Sequence, residues 1–92
     1  MTKSDVIAAV TARFPSITHS TAENVVGLVF DTMKQALLRG ERIELRGFAS
    51  FDVKDYDGYI GRNPKTGRAI EIKPKRLPLF RPSKEMRDRL NS

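Results

Sequence analysis

The chain contains no cysteine, and His19 is its single histidine among 92 residues. The first absence excludes disulfides, thiolate metal sites and thiol catalysis. The second leaves too few imidazoles for a histidine-rich metal site. Long apolar runs are missing too: none approaches the roughly 18 residues of a membrane span. The apolar residues that follow the polar start Met1–Asp5 are interrupted by Thr11 and Arg13, so no signal peptide is read there and a cytoplasmic location is expected. The sequence offers no nucleophile–base pair, phosphate loop or metal cluster. Neither an enzyme nor a cofactor, a small-molecule substrate or a membrane partner is expected. One domain over 1–92 is the expectation for this length. A core this small, stapled by neither disulfide nor metal, is expected to be completed by a partner subunit.

Acidic residues are scarce in one place. From Gly58 to Lys84 there are eight basic residues and a single acidic one, Glu71. The rest of the chain carries nine basic and ten acidic residues, so the net charge of +6 lies wholly in that stretch. Charge that merely keeps a surface soluble is usually mixed in sign. A localised excess attracts a polyanion, nucleic acid before an anionic membrane.

Along the chain, Thr2-x-x-Asp5 has the pattern of a capping box. Val6, Ile7, Val10 and Phe14 follow at helical spacing, which predicts a helix over about Lys3–Arg13, stopped by Pro15. A second helix is predicted from Thr18 or Ser20, with Ser20-x-x-Glu23 as its candidate box, to Arg39, with Gly40 as the stop. Its stripe of Val25, Val26, Val29, Phe30, Met33 and Leu37, widened by Ala22, Leu28 and Ala36, is broad for one short neighbour and again implies a partner. After Gly40 the texture changes to alternation. Ile43 and Leu45 mark one strand, Gly47 a turn, Phe48 to Val53 a second strand, and Ile70, Ile72, Leu77 and Leu79 a return strand. Pro74 and Pro78 belong on a sheet edge, because proline cannot donate to a ladder. Pro82 ends the strand, and Ser83 is expected to cap a third helix, Lys84–Leu90. The expected class is α+β: two N-terminal helices (about 1–40), a three-stranded antiparallel sheet carrying a long β-ribbon arm (about 41–82, the arm about 55–74) and a short C-terminal helix (about 83–91).

The arm is a poor core-former and has strong turn chemistry at Asn63-Pro64-Lys65-Thr66-Gly67. Legs of eight or nine residues would reach on the order of 25–30 Å, and a lone two-stranded ribbon is marginal in water, so mobility is expected. Pro64 admits three readings: an ordinary turn residue, a residue that blunts an exposed ribbon against aggregation, or an apolar wedge that enters between base pairs from the minor groove. The wedge suits its neighbours best. Arg62, Lys65 and Arg68 flank the tip, and Asn63 can hydrogen-bond acceptors on the groove floor.

GFASF at 47–51, GRNPKTG at 61–67 and PLFRPSKEMRDRLN at 78–91 resemble the bacterial HU/integration host factor family of DNA-bending proteins, in the family's element order over essentially the whole chain. The resemblance implies an intertwined dimer with a helical base and two ribbon arms that embrace the minor groove. It implies that Pro64 intercalates once per subunit, and that Phe48, Phe51 and Phe80 form an aromatic dimer core. GERIELRGFASF at 40–51, the opening MTKS and the Arg87-Asp88-Arg89 triplet are most similar to the beta subunit of integration host factor. There an E-x-R pattern, here Glu44 and Arg46, places an arginine in a narrowed groove oriented by its glutamate, which is readout of DNA shape. The alternative is that Arg42, Glu44 and Arg46 are the solvated face of a strand. Ala49, Ser83 and Leu79 depart from the pattern and weaken the choice of subfamily.

Lys73, Lys75, Arg76, Arg81 and Lys84 are expected to touch phosphates, with Arg87 as a distal contact. Lys3 and Ser4 lie at a helix start, where free N–H groups favour a phosphate, although Ser4 also suits an ordinary helix start. Tyr56 and Tyr59 are expected to brace the arm base. The function implied is architectural: bending duplex DNA in the nucleoid, with some sequence preference, in support of recombination, replication and transcription. The partner is an alpha-type subunit or a second copy of this chain. The nearest rival is a nonspecific HU-like homodimer that compacts the nucleoid. A further rival is an RNA-binding or ribosome-associated protein, whose A-form minor groove is wide and shallow and suits a clasping ribbon poorly.

Overall fold

A computed structural model describes residues 1–92. The chain divides into two compact units, Met1–Ala36 and Leu37–Ser92, which are taken in turn.

The first unit is helical. α1 spans Lys3–Arg13, and its capping box forms as the sequence predicts: the Asp5 N–H donates to Thr2 Oγ1, and the Thr2 N–H donates to Asp5 Oδ2 at 2.7 Å. α2 spans His19–Leu38. Its cap is Thr18, whose hydroxyl oxygen accepts the Thr21 N–H at 3.1 Å. The expected Ser20–Glu23 box does not form, and Glu23 instead faces His19 at 3.6 Å, one turn back along the helix. Ile7, Ala22 and Val26 are the buried residues of this unit, with Val6, Val10 and Ile17 packed around them. On α2 itself Val25, Leu28, Val29 and Phe30 stay exposed. The broad apolar stripe is therefore real, and four of its nine residues are left exposed within the chain.

The second unit begins with the end of α2, where Gly40 adopts φ 78° and its N–H donates to Leu37. The adjacent Arg39 and Glu41 pair at 3.0 Å. Their hydrogen bond, and then their charges, hold the Glu41 carboxyl below its usual value and raise the Arg39 guanidinium. Five strands follow: β1 Ile43–Leu45, β2 Ala49–Tyr56, β3 Tyr59–Arg62, β4 Ala69–Ile72 and β5 Lys75–Pro82. β1, β2 and β5 form one antiparallel sheet in that order, and β3 and β4 form a separate two-stranded ribbon. The arm expected over about 55–74 is not one continuous ladder. The three-stranded sheet keeps Tyr56 and Lys75 as its last pair, and the ribbon ladder has four pairs, Tyr59↔Ile72 to Arg62↔Ala69. Each leg therefore contributes roughly 13 Å of ladder. The physical reason is Pro74, which has no N–H to carry the pairing onward. Pro78 lies on β5, an edge strand, where the sequence puts it. α3, Lys84–Leu90, is capped by Ser83, whose Oγ accepts the Met86 N–H at 3.1 Å.

Side chains alternate across a strand, so the register sorts the three-stranded sheet into two faces. One carries Phe51 opposite Phe80, with Ile43 and Leu45 beyond. The other carries the row Glu44–Ser50–Arg81, with Asp52, Lys54 and Lys75. Phe48, Phe51 and Phe80 form a tilted triad with ring centroids 5.4–6.4 Å apart, in the range of favourable edge contacts. Phe80 nevertheless remains 55% exposed and Phe48 43%. Ala49 is the buried residue of this unit.

Candidate nucleic-acid interface

The tip of the ribbon is built by short-range hydrogen bonds. The Asn63 N–H donates to the Arg68 carbonyl at 2.9 Å and closes a six-residue loop. The Gly67 N–H returns to the Asn63 carbonyl at 2.8 Å, with Gly67 at φ 70°, a conformation that costs glycine nothing. Inside the loop, Asn63 Oδ1 accepts the Lys65 N–H at 2.8 Å. That bond spans Pro64, so the ring stands at the corner of a braced turn, exposed to solvent. Arg62, Lys65 and Arg68 are exposed around it. The Asn63 side-chain oxygen is thus occupied within the turn. The amide NH₂ has no partner in the chain and is the donor that faces outward. The minor groove offers acceptors at adenine N3 and thymine O2, so the remaining donor is of the right kind.

On the polar face of the three-stranded sheet, Arg42, Glu44, Arg46, Ser50, Arg81 and Ser83 line a shallow recess of about 420 Å³. Arg81, distant in sequence from Arg42 and Arg46, lines the same recess. Ser50, not among the expected site residues, lies in the centre of the row between Glu44 and Arg81. Its signal was the alternation of β2, which fixes Ser50 as outward once Phe51 is inward. In the chain without DNA, Glu44 is not paired with Arg46. Glu44 Oε1 lies 3.2 Å from Arg42, which also approaches Asp52 at 4.0 Å. Arg46 has left the strand for the turn before Gly47 and makes no ion pair.

The expected phosphate contacts do not all fall on one side. Lys75 and Arg81 share the polar face, whereas Arg76 lies on the face of Phe51 and Phe80. Its Nε donates to Asp55 at 2.8 Å, across the β2–β5 pair. Lys73 sits in the link between ribbon and sheet, and Lys84 and Arg87 are exposed on α3. In the other unit, Lys3 and Ser4 are exposed in the first turn of α1, and Ser4 Oγ is 3.1 Å from Thr2 Oγ1. Tyr56 is held between two cations, with Lys54 and Lys75 Nζ at 5.3 and 6.0 Å from its ring centroid. Tyr59 lies along the bare backbone of Gly61 and stays 63% exposed. Tyr56 thus braces the sheet end of the arm, and Tyr59 braces the ribbon itself.

Chemically, the surface combines an exposed apolar ring on a rigid turn, donors without acceptors beside it, and guanidinium and ammonium groups along one face. Such a surface suits a phosphate-bearing duplex. No helix is long and apolar enough to cross a membrane.

Comparison with known proteins agrees. Residues 1–91 match the family described as Bacterial DNA-binding protein. Among solved structures, the Anabaena HU–DNA cocrystal structure is similar at 32% identity and TM-score 0.79, over 98% of this chain and 97% of that one. An HU variant from Thermotoga maritima is 21% identical with TM-score 0.68, over 98% and 99%. A variant of transcription factor 1, solved in solution, is 21% identical with TM-score 0.64, over 99% and 91%. The last two support the fold alone.

Proposed function

The chain belongs to the bacterial DNA-binding protein family of HU-like architectural proteins, not an enzyme family, and from that premise we propose that it bends duplex DNA as a dimer, by wedging Pro64 into the minor groove. The observation that carries the reading is the tip. An exposed proline is held at the corner of a turn by the Asn63–Lys65 hydrogen bond and ringed by Arg62, Lys65 and Arg68. A wedge costs a few kcal/mol of unstacking per step, and laying bent DNA over more cationic surface offsets that cost. The polar sheet face, with Arg81, Lys75 and the Arg42–Arg46 segment, is the surface over which the bent duplex passes. Lys73, Lys84 and Arg87 are further phosphate contacts on this reading, and Lys3 and Ser4 are separate ones in the helical unit.

The dimer is supported by what the single chain leaves uncovered. Four residues, Ile7, Ala22, Val26 and Ala49, are buried in 92, while Val25, Leu28, Val29, Phe30, Phe48 and Phe80 are exposed. Exposed apolar surface on this scale marks an interface. Fluorescence anisotropy against a duplex DNA and an RNA hairpin of equal length, with a minor-groove drug as competitor, tests the mode of binding. Preference for the duplex and displacement by the drug support it. Equal binding to the hairpin, or indifference to the drug, refutes it.

Within this function we favour a preference for deformable sequence, of the kind associated with the beta subunit of integration host factor. The supporting observation is Arg46, which is exposed in the turn after β1 and free of any ion pair beside the Glu44–Arg42 pair. An arginine so placed can enter a narrowed minor groove. The HU-like homodimer is the second reading, and the 32% identity to Anabaena HU favours it. Sedimentation of the chain alone separates them: a stable homodimer supports the second, and a monomer that pairs only with an alpha-type chain supports the first. On either reading the protein acts in the nucleoid and aids recombination, replication and transcription complexes.

A further inference from the structure

Arg46 is exposed and makes no ion pair, so no side-chain partner aims it. Its direction is set by the backbone that carries it. That backbone is the turn Leu45–Phe48 between β1 and β2, closed by the Phe48 N–H, which donates to the Leu45 carbonyl at 2.9 Å. Gly47 takes the third place of the turn at φ 82°, a conformation that favours glycine there. One hydrogen bond across four residues is little to hold a turn. A second element supplies the rest.

α3 reaches this turn through its cap. The β2–β5 ladder ends at the pair Ala49↔Pro82, and the next residue along, Ser83, stands opposite Phe48. The Ser83 N–H donates to the Phe48 carbonyl at 2.8 Å, while Ser83 Oγ accepts the Met86 N–H at 3.1 Å. Ser83 is thus bonded on one side to the turn and on the other to the helix. Glu85, in the first turn of α3, lies against the same turn: a Cβ on Gly47 would be 3.5 Å from its Oε2. Arg46, Gly47, Arg81 and Ser83 line one recess on the polar sheet face.

We propose that Ser83 is a positioning residue: its backbone N–H holds the Phe48 carbonyl, and so the turn, at the place from which Arg46 enters a narrowed groove. The inference rests on the shape readout by Arg46 proposed above and adds a part for α3 in it. The two polar groups of Ser83 have separate tasks. The hydroxyl caps α3, and the N–H serves the turn. Ser83→Ala removes the first and keeps the second. Proline removes both. Ser83 has φ −65°, the value that proline imposes, and Pro82 before it ends a strand, the extended conformation that suits the residue before a proline. In Ser83→Pro the ring carbon takes the place of the proton, so the Phe48 carbonyl is displaced while the local φ is kept.

The test uses the full chain and competition between an AT-rich and a mixed duplex. Wild type is compared with Ser83→Ala, Ser83→Pro, Arg46→Ala and the double variant of Arg46→Ala with Ser83→Pro. Ser83→Ala should keep the wild-type ratio of affinities. Ser83→Pro should lower it as far as Arg46→Ala does, roughly fivefold, with affinity for the mixed duplex retained. The double variant should go no lower than Arg46→Ala, because a residue that acts through another does not add to it. The proposal is overturned if Ser83→Pro keeps the wild-type ratio, if Ser83→Ala lowers it equally, or if Ser83→Pro lowers it again when Arg46 is already alanine. If Arg46→Ala leaves the wild-type ratio unchanged, shape readout by Arg46 fails, and NMR spectra of the free proteins decide the turn. Arg46 and Gly47 amide signals that move in Ser83→Pro and not in Ser83→Ala support the hold, and signals that stay in both overturn it. Should Ser83→Pro fail to fold, hydrogen exchange of wild type decides. The Ser83 amide should be protected like those of the β2–β5 ladder, and exchange as fast as in an open loop overturns the proposal.

Discussion

Asn63 Oδ1 accepts the backbone N–H of Lys65 at 2.8 Å, and the ring of Pro64 is carried between them. The proline is therefore presented by a hydrogen bond as well as by its own fixed φ. A net hydrogen bond is worth about 0.5–1.5 kcal/mol. Asn63→Ala should accordingly weaken duplex binding by about three- to tenfold, while the thermal midpoint stays near that of wild type because the tip is exposed. Asn63→Asp keeps the acceptor for Lys65 but adds a negative charge among phosphates, so it should bind more weakly than Asn63→Ala. Anisotropy titrations and circular dichroism melts check both.

Salt dependence should separate the two faces of the sheet. Each phosphate contact removed lowers the slope of log K against log salt by about 0.9. Lys75→Ala and Arg81→Ala should each do so. Arg76→Ala should leave the slope unchanged, because its guanidinium lies on the opposite face and is bonded to Asp55. The measurement is binding of one duplex at four or five salt concentrations.

The distinction between Lys75 and Arg76 also shows where sequence reading stops. Helix ends were legible because Thr2, Pro15 and Ser83 act locally, through caps and a missing N–H. The tip was legible because Asn-Pro and Gly have few other uses in that order. Which lysine or arginine faces the DNA depends on register, and a shift of one residue moves a side chain to the other face. The eight basic residues after Gly58 thus read as one patch in sequence, whereas Lys75 and Arg81 fall on one face of the sheet and Arg76 on the other. Glu44 posed the same difficulty. Arg42 and Arg46 are both two residues away, and only the turn at Gly47 takes Arg46 out of the strand. The break at Gly58 and Pro74 had local signals, the Asp57-Gly58 turn pair and the missing proline N–H, but which residues the two links bring together depends on register.

Arg46→Ala should reduce the ratio of affinities for an AT-rich over a mixed duplex by roughly fivefold, about 1 kcal/mol. Glu44→Gln should change that ratio little, since its carboxylate holds Arg42. Competition between two labelled duplexes measures the ratio directly.

Phe80→Ala tests the dimer. A ring 55% exposed in the single chain should cost little when truncated, unless a partner buries it. Burial by a partner predicts a loss of about 3–5 kcal/mol and a wild-type unfolding midpoint that rises with protein concentration. Melts at two concentrations, with sedimentation of the variant, report both.

The wedge is tested most directly by fluorescence energy transfer between the ends of a roughly 35-base-pair duplex, far shorter than the persistence length of about 150 base pairs and so straight when free. Wild type should bring the ends together. Pro64→Ala, at protein concentrations where anisotropy shows it bound, should leave them markedly farther apart. If the duplex stays straight with wild type bound, or bends equally with Pro64→Ala, then Pro64 is only a turn residue and the intercalation mechanism is wrong.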